Sequence, residues 1–368
     1  MYLLGPVGFC VILIVDSMIG RLGSTTGQTS RLQAVSMLTR HGDRAPVQSY
    51  PLDPYKDFPW PGGYGALSPR GARQMYESGL IKARRYSSLL TQVCQLRNLN
   101  SNFKTIYVRS SAVERCVASA VNFLAGFFPL PFPQSLINIK PLEQDEMLGM
   151  ANSCFSKVNS TGKPNSTLQP GFDWQSEEGK ERMAYIRKNT GINATSVADL
   201  FGLADTLSVQ RDNGFELPAW VDHIFDEYLQ SAMLMAMDAF GTSAILTTRS
   251  GTLLKDMITR LENFIKGFSS ENILFYSGHD INILGMLYFL EIRNQIPGLP
   301  AYGSMLSMEL YQNYVIPDDY EIKVVYFAHY GDVNPISVII PRCSTPCAFK
   351  KFKGTVEPKF VVDAKNTC

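Results

Sequence analysis

Short apolar runs recur along the chain, and three of them end in charged or imidazole side chains. Ala34 to Leu38 reads as a buried strand and passes directly into Thr39-Arg40-His41-Gly42-Asp43-Arg44-Ala45-Pro46. Thr105 to Val108 reads as a second strand and ends in Arg109-Ser110-Ser111. Asn272 to Tyr276 reads as a third and ends in Ser277-Gly278-His279-Asp280. Ser304 to Tyr311 and Tyr320 to Ala328 alternate apolar and polar residues, which predicts an antiparallel pair across the Asn313 to Asp319 turn. Helical spacing predicts a helix opened by Ser68-Pro69 and running towards Cys94, with Ser68 as cap and Pro69 at the first position. Further helices follow over Val113 to Phe123, Met257 to Phe268 and Ile281 to Leu290.

The pattern changes in the middle of the chain. Pro129, Pro131, Pro133 and Pro141 interrupt it. Helical periodicity then returns near Glu177 to Lys188, around Val197 to Leu203, and over Trp220 to Phe240, with no strand signal between. Strands alternating with helices at both ends predict an α/β fold with a central mixed sheet flanked by helices. The middle predicts an inserted, smaller, mainly helical cap domain. The boundaries are 31–128 and 241–368 for a discontinuous catalytic domain and 129–240 for the cap. With 368 residues, 45% hydrophobic and 18% charged, the chain is long enough for this arrangement and too apolar for wholesale disorder.

The N-terminus and the cysteines point to the secretory pathway. Tyr2 to Val15 carries no charge, and its fourteen residues reach only about 21 Å, short of the roughly 30 Å bilayer core. A signal peptide over residues 1–23 fits better than a membrane span or a buried strand, with Ser17, Gly20, Gly23 and Ser24 as small residues near a cleavage site. Cys10 falls inside it. Cys94, Cys116, Cys154, Cys343, Cys347 and Cys368 remain, an even number that suits an oxidising compartment. Cys343 and Cys347 flank Ser-Thr-Pro, a loop that a local disulfide would close. Asn159, Asn165 and Asn193 begin glycosylation sequons in the polar middle segment. A secreted or lumenal protein follows, with no membrane span in the mature chain.

Charge narrows the function. Lys and Arg number 34 against 33 Asp and Glu, so no global field holds nucleic acid or an anionic membrane. Anion recognition must come from a few placed cations. The strand ends offer them: Arg40, Arg44 and Arg109, together with His41, His279 and Asp280. In parallel sheets, ligands bind beyond the carboxyl ends of the strands. Guanidinium forks suit phosphate oxygens and neutralise charge during phosphoryl transfer. A neutral imidazole attacks phosphorus, and a carboxylic acid protonates the leaving alkoxide. The set predicts phosphomonoester hydrolysis through a phosphohistidine, with no metal and no cofactor.

Arg40-His41-Gly42-Asp43-Arg44-Ala45-Pro46 resembles the Arg-His-Gly-x-Arg-x-Pro motif of the histidine acid phosphatases. Ser277-Gly278-His279-Asp280 resembles their second His-Asp motif, and Tyr107-Val108-Arg109-Ser110-Ser111 the segment between. Leu67-Ser68-Pro69-Arg70-Gly71 resembles the opening of their first helix, and Pro218-Ala219-Trp220 and the Cys343/Cys347 loop also have counterparts. The resemblance covers about Leu32 to Cys368. It implies His41 as nucleophile, Asp280 as general acid, and Arg40, Arg44, Arg109 and His279 as phosphate ligands. It further implies pairing of Cys154 with Cys368 and of Cys343 with Cys347, an acid optimum, and a homodimer. Cys94 and Cys116 depart from the family's third pair and either bridge each other or stay free.

Blander readings stand beside these. His223 and His329 read as packing or structural residues, Met233, Met235 and Met237 as core, and Arg70, Arg73, Arg84 and Arg85 as a solvated helix face. Two functional alternatives remain. One is a specialised phytase or lysophosphatidic-acid phosphatase on the same scaffold. The other is a secreted phospho-ligand binding protein without turnover.

Overall fold

The computed structural model describes residues 30–90, 103–128, 130–149, 176–194, 197–241, 244–313, 315–316 and 319–360. In chain order its main elements begin with β1 (Ser30–Arg40), α1 (Pro69–Arg85), β2 (Ile106–Ser110), α2 (Glu114–Phe127) and β3 (Ile137–Ile139). The helices α3 (Glu177–Thr190), α4 (Val197–Asp212), α5 (Gln230–Gly241) and α6 (Ala244–Ile265) follow. The chain then forms β4 (Ile273–Gly278), α7 (Asp280–Phe289), β5 (Met305–Asn313), β6 (Tyr320–Phe327), β7 (Ile336–Val338), β8 (Cys347–Ala348) and α8 (Phe349–Val356).

One mixed sheet runs β3-β2-β4-β1-β5-β6-β7, with β8 also on β6. Pairing is parallel from β3 to β1 and antiparallel from β1 onward. β1 is buried on both faces, which explains an apolar run broken only by Ser36. Ala34 and Leu38 pack on one side with residues of α6, α7 and α8. Val35 and Met37 pack on the other with Met75 of α1 and Phe123 of α2. The α/β class read from the sequence is therefore present. A separate core joins α3, α4 and the residues before α5 to Tyr50.

Local chemistry sets the helix ends. Ser68 accepts from Gly71 N at 2.9 Å ahead of Pro69, and Lys82, Arg84 and Arg85 occupy the last turn of α1, where cations suit the dipole. Ser176 caps α3 in the same way, and Gly191 ends it in the left-handed region.

Several expectations change. α1 ends at Arg85 and Tyr86 interrupts it, residues 87–90 are helical again, and Cys94 lies outside the described residues. β3 lies in the segment read as strand-free; three residues carry too little alternation to reveal it, yet Ile137 pairs with Val108. Trp220 to Phe240 is not one helix: a 3-10 turn at Ala219–Val221 and a π turn at Phe225–Leu229 precede α5. Met257 to Phe268 covers only the later part of α6.

Arg85 is not simply solvated. It donates to Glu309, 1% exposed on β5, from Nε at 2.7 Å and Nη2 at 3.2 Å. The Tyr86 and Tyr311 hydroxyls complete that network at 3.0 Å each. Arg73 and Arg84 are exposed as expected. Cys343 and Cys347 form a disulfide, and Cys116 is a buried free thiol that does not bridge Cys94. Among the described residues, no helix is long and apolar enough to cross a membrane.

Candidate active site

The strands β1, β2 and β4 end side by side. Arg40 is in register with Gly278, His41 N donates to Gly278 O at 3.1 Å, and Ser111 N donates to Ser277 O at 3.0 Å. The turn after β1 is pressed against the first turn of α1, with Ser68 N donating to Asp43 O at 2.9 Å. A Cβ at Gly42 would collide with the backbone of Gly71, and one at Gly71 with the backbone of Asp43. Both glycines therefore serve close approach rather than flexibility. The buried Asp43 carboxylate accepts from Arg70 Nη2 at 2.7 Å and from Ser68 Oγ. Arg70 is exposed, as expected of a solvated face, and also clamps the motif.

His41 is 2% exposed. Its Nδ1 lies 2.8 Å from Gly42 O, and a carbonyl only accepts, so Nδ1 carries the proton. Nε2 is the acceptor, and Arg115 Nε donates to it at 3.0 Å. Burial, then Arg115, Arg40, His279 and Arg44, holds the His41 pKa well below its ordinary value. The imidazole is neutral, with its lone pair on Nε2.

His279 lies beside it, ring centroids 5.6 Å apart, with Nε2 3.1 Å from Ser111 Oγ and 3.5 Å from Cys116 Sγ. Burial first, then Arg115, lowers it to about 3. Asp280 opens α7 and pairs with Arg40 Nη2 at 2.9 Å, while its Oδ1 accepts from Ile281 N at 2.8 Å. Burial raises its pKa, but Arg40, His279 and Arg44 prevail and hold it below the ordinary carboxyl value.

Arg40 is fixed from three sides: Asp280, the Pro300 carbonyl at 2.7 Å, and the Tyr302 ring at 4.2 Å. Arg44 Nη2 donates to Asp205 Oδ1 at 2.8 Å and Nη1 to Ala45 O at 3.1 Å. The Nε groups of both arginines, like that of Arg109, are buried and have no partner among the described residues. Such donors are what an incoming oxyanion satisfies.

One predicted ligand is displaced. Arg109 is 1% exposed, and its Nη2 pairs with Asp145 Oδ2 at 2.8 Å. Its Nη1 donates to the carbonyls of Ser110 at 2.9 Å and Asn138 at 3.1 Å. Asp145 in turn accepts from Met147 N and Leu148 N. Arg109 is neutralised in place and ties β2 to the segment after β3. Arg115, a few residues later on α2, supplies the guanidinium at His41. The sequence held one sign of it. Arg115 is a cation in the first turn of a helix, where the dipole disfavours positive charge. Asp145, Asp205 and Tyr302 were also missed, since nothing in their local sequence ties them to the strand ends.

The remaining candidates lie elsewhere. His223 is exposed, not packed. His329 pairs with Asp332 at 2.8 Å on the surface. Met237 is buried, and Met233 and Met235 pack partly buried against the helical core. Asn193 is exposed after α3. Residues 1–23, Asn159, Asn165, Cys154 and Cys368 lie outside the described residues.

A neutral histidine ringed by arginines at the carboxyl edge of a parallel sheet is a phosphoryl-transfer arrangement. Residues 31–327 match the model of the histidine phosphatase superfamily (branch 2), and the chain belongs to that family. Among its relatives, human prostatic acid phosphatase is 26% identical over 92% of this chain and 88% of its own length. Human lysosomal acid phosphatase is 26% identical, with 92% and 80% covered. A Hafnia alvei phytase in complex with tartrate has the same fold, with a TM-score of 0.65, 18% identity, and 92% of this chain and 99% of that one covered.

Proposed function

We propose that the protein is a metal-independent acid phosphatase that hydrolyses phosphomonoesters through a phosphohistidine on His41. The observation that carries this reading is the bare Nε2 of His41, 3.0 Å from Arg115 Nε and flanked by the partnerless Nε groups of Arg40 and Arg44.

The ester phosphoryl group enters where Arg115 now meets Nε2. Arg40, Arg44, Arg115 and His279 hold its oxygens. Nε2 attacks phosphorus, the P–O ester bond breaks, and Asp280 gives its proton to the departing oxygen. Water then attacks phosphorus as Asp280 takes a proton from it, the P–N bond breaks with its electron pair returning to Nε2, and inorganic phosphate leaves. Asp280 must begin protonated although Arg40, His279 and Arg44 favour its anion. Acid pH supplies that proton and also favours the phosphate monoanion, whose second pKa is about 6. Bound phosphate charge further opposes the arginines and helps Asp280 keep its proton.

A cleft of about 660 Å³ adjoins Arg115 and is lined by Pro61, Tyr64, Leu67, Pro69 and Val113. Its charged members are Arg115 and Glu114. This supports a single phosphate on an apolar or aryl leaving group over a polyphosphate such as inositol hexakisphosphate. The disulfide at Cys343 and Cys347, the apolar N-terminal run and the exposed Asn193 support passage through the secretory pathway.

The test is phosphate release at acid pH with a chelator present, from an aryl phosphate and from inositol hexakisphosphate, by wild type and His41→Ala. Release from the aryl ester by wild type alone is expected. Equal release by both proteins would refute the role of His41, and faster release from the inositol ester would refute the substrate class.

A further inference from the structure

The acid beside Arg44 has no place in the mechanism above. Asp205 projects from α4 and is 7% exposed. Its Oδ1 accepts from Arg44 Nη2 at 2.8 Å, and its Oδ2 is buried with no hydrogen-bond partner among the described residues. A carboxylate in so dry a place, opposite a phosphate-site arginine, stands where a bound anion would feel it.

Its position is set independently of Arg44. Thr206 Oγ1 donates to Gln48 O at 3.0 Å, and Gln210 Nε2 donates to both Asp53 oxygens at 3.0 and 2.9 Å. Arg70, which clamps Asp43, also donates to Asp212 O at the end of α4. The helix is thereby fastened to the turn that carries His41 and Arg44.

We propose that Asp205 is a positioning residue that fixes Arg44 for phosphate and sets the net charge of the phosphate pocket. With Nη2 given to Asp205 and Nη1 to Ala45 O, Arg44 keeps its Nε for the substrate. Three guanidiniums face the site, from Arg40, Arg44 and Arg115, against Asp280 and Asp205. With Asp280 protonated, as the reaction requires, the carboxylate of Asp205 lowers the local charge from +3 to +2, by that count of side chains. The lower charge is the better match to a phosphate monoanion, the acid-pH form of the ester.

The charge also reaches Asp280. That group feels Arg40 from β1, Arg44 from the following turn, His279 at the end of β4 and Arg115 from α2. Arg44 itself feels Asp205 from α4, Asp280 from α7, Tyr302 before β5 and Arg115 from α2. Burial works against the Arg44 charge, and Asp205, with Tyr302 and Asp280, more than offsets it. Removing the Asp205 charge leaves Arg44 uncompensated, so it depresses Asp280 further. The enzyme then loses its protonated acid at a lower pH.

This inference rests on the phosphatase reading, and the two fail differently. Asp205→Asn keeps an acceptor for Arg44 Nη2 and removes only the charge. The alkaline limb of its kcat/KM profile with an aryl phosphate should move down by about half a unit to one unit, the size of an ordinary single-charge perturbation. Asp205→Ala removes the acceptor as well, and its kcat/KM should fall a further tenfold or more, with KM for substrate and Ki for inorganic phosphate both raised. A profile of Asp205→Asn superimposed on wild type would overturn the proposal while leaving the phosphatase reading intact. So would an Asp205→Ala variant within twofold of Asp205→Asn at every pH. A wild type that releases no phosphate would overturn both. Asp205→Asn, being isosteric, keeps the test open if Asp205→Ala does not fold.

Discussion

Exchanging the roles of two nearby arginines gives the sharpest prediction. Arg115 touches His41 Nε2, whereas Arg109 is buried against Asp145. Arg115→Ala removes one donor from the place where negative charge develops. Loss of a single preorganised donor of this kind costs about 10²–10³ in rate, or about 2.7–4 kcal/mol of transition-state stabilisation. A second effect follows from the electrostatics of His41. Burial and then Arg115 are the two largest influences depressing its pKa. Without Arg115, His41 accepts a proton more readily, so the acid limb of kcat/KM, where a protonated imidazole cannot attack, moves to higher pH. Folding stability should change little, because α2 loses an unfavourably placed cation. Arg109→Met should behave oppositely. It strands the Asp145 carboxylate, whose side chain is 0% exposed, without its cation. Removing one partner of a buried pair costs about 3–5 kcal/mol of folding stability. Its remaining folded fraction should keep the wild-type pH profile. Urea unfolding and pH–rate profiles with an aryl phosphate measure both halves. An Arg115→Ala enzyme within threefold of wild type, beside a stable but inactive Arg109→Met enzyme, would refute the reasoning.

Three further outcomes follow. Asp280→Asn should slow alkyl phosphates far more than p-nitrophenyl phosphate, because a good leaving group needs little protonation; equal losses would remove Asp280 as the general acid. Lys82 is fully buried, its Nζ 3.0 Å from Tyr330 O, and burial lowers its pKa to about 7. The unfolded chain therefore holds an extra proton between about pH 7 and about pH 10, and stability gained through Lys82 rises with pH across that window. The unfolding free energy of wild type minus that of Lys82→Met should climb over the same range, and a flat difference would contradict this. Burial pushes the Cys116 thiol up to about 12, so native protein should resist alkylation at Cys116 at pH 8 while unfolded protein reacts; rapid native labelling there would show the thiol to be accessible.

The parallel centre of the sheet was readable because β1 and β4 are buried on both faces and leave mostly apolar runs. His41, Arg44, His279 and Asp280 were readable because each follows such a run within a few residues. What failed shares one physical cause. Arg109 ends a strand and Arg115 opens a helix, and the side chain of Arg109 is held by Asp145, thirty-six residues away. Asp205 and Tyr302 reach the site from α4 and from the turn before β5, so their meeting with Arg44 and Arg40 is written in the packing. β3 is three residues long and owes its conformation to β2 more than to its own sequence. The break of Trp220 to Phe240 into a 3-10 turn, a π turn and α5 is likewise invisible to a periodicity that all three share.

The central claim is that phosphate passes through His41. Rapid mixing with a radiolabelled phosphomonoester, followed by alkaline denaturation to preserve an acid-labile P–N bond, tests it directly. Label on a single peptide containing His41, absent from His41→Ala and discharged by water as product forms, is the predicted result. Turnover with no protein-bound label at any mixing time, or label retained in His41→Ala, would contradict it.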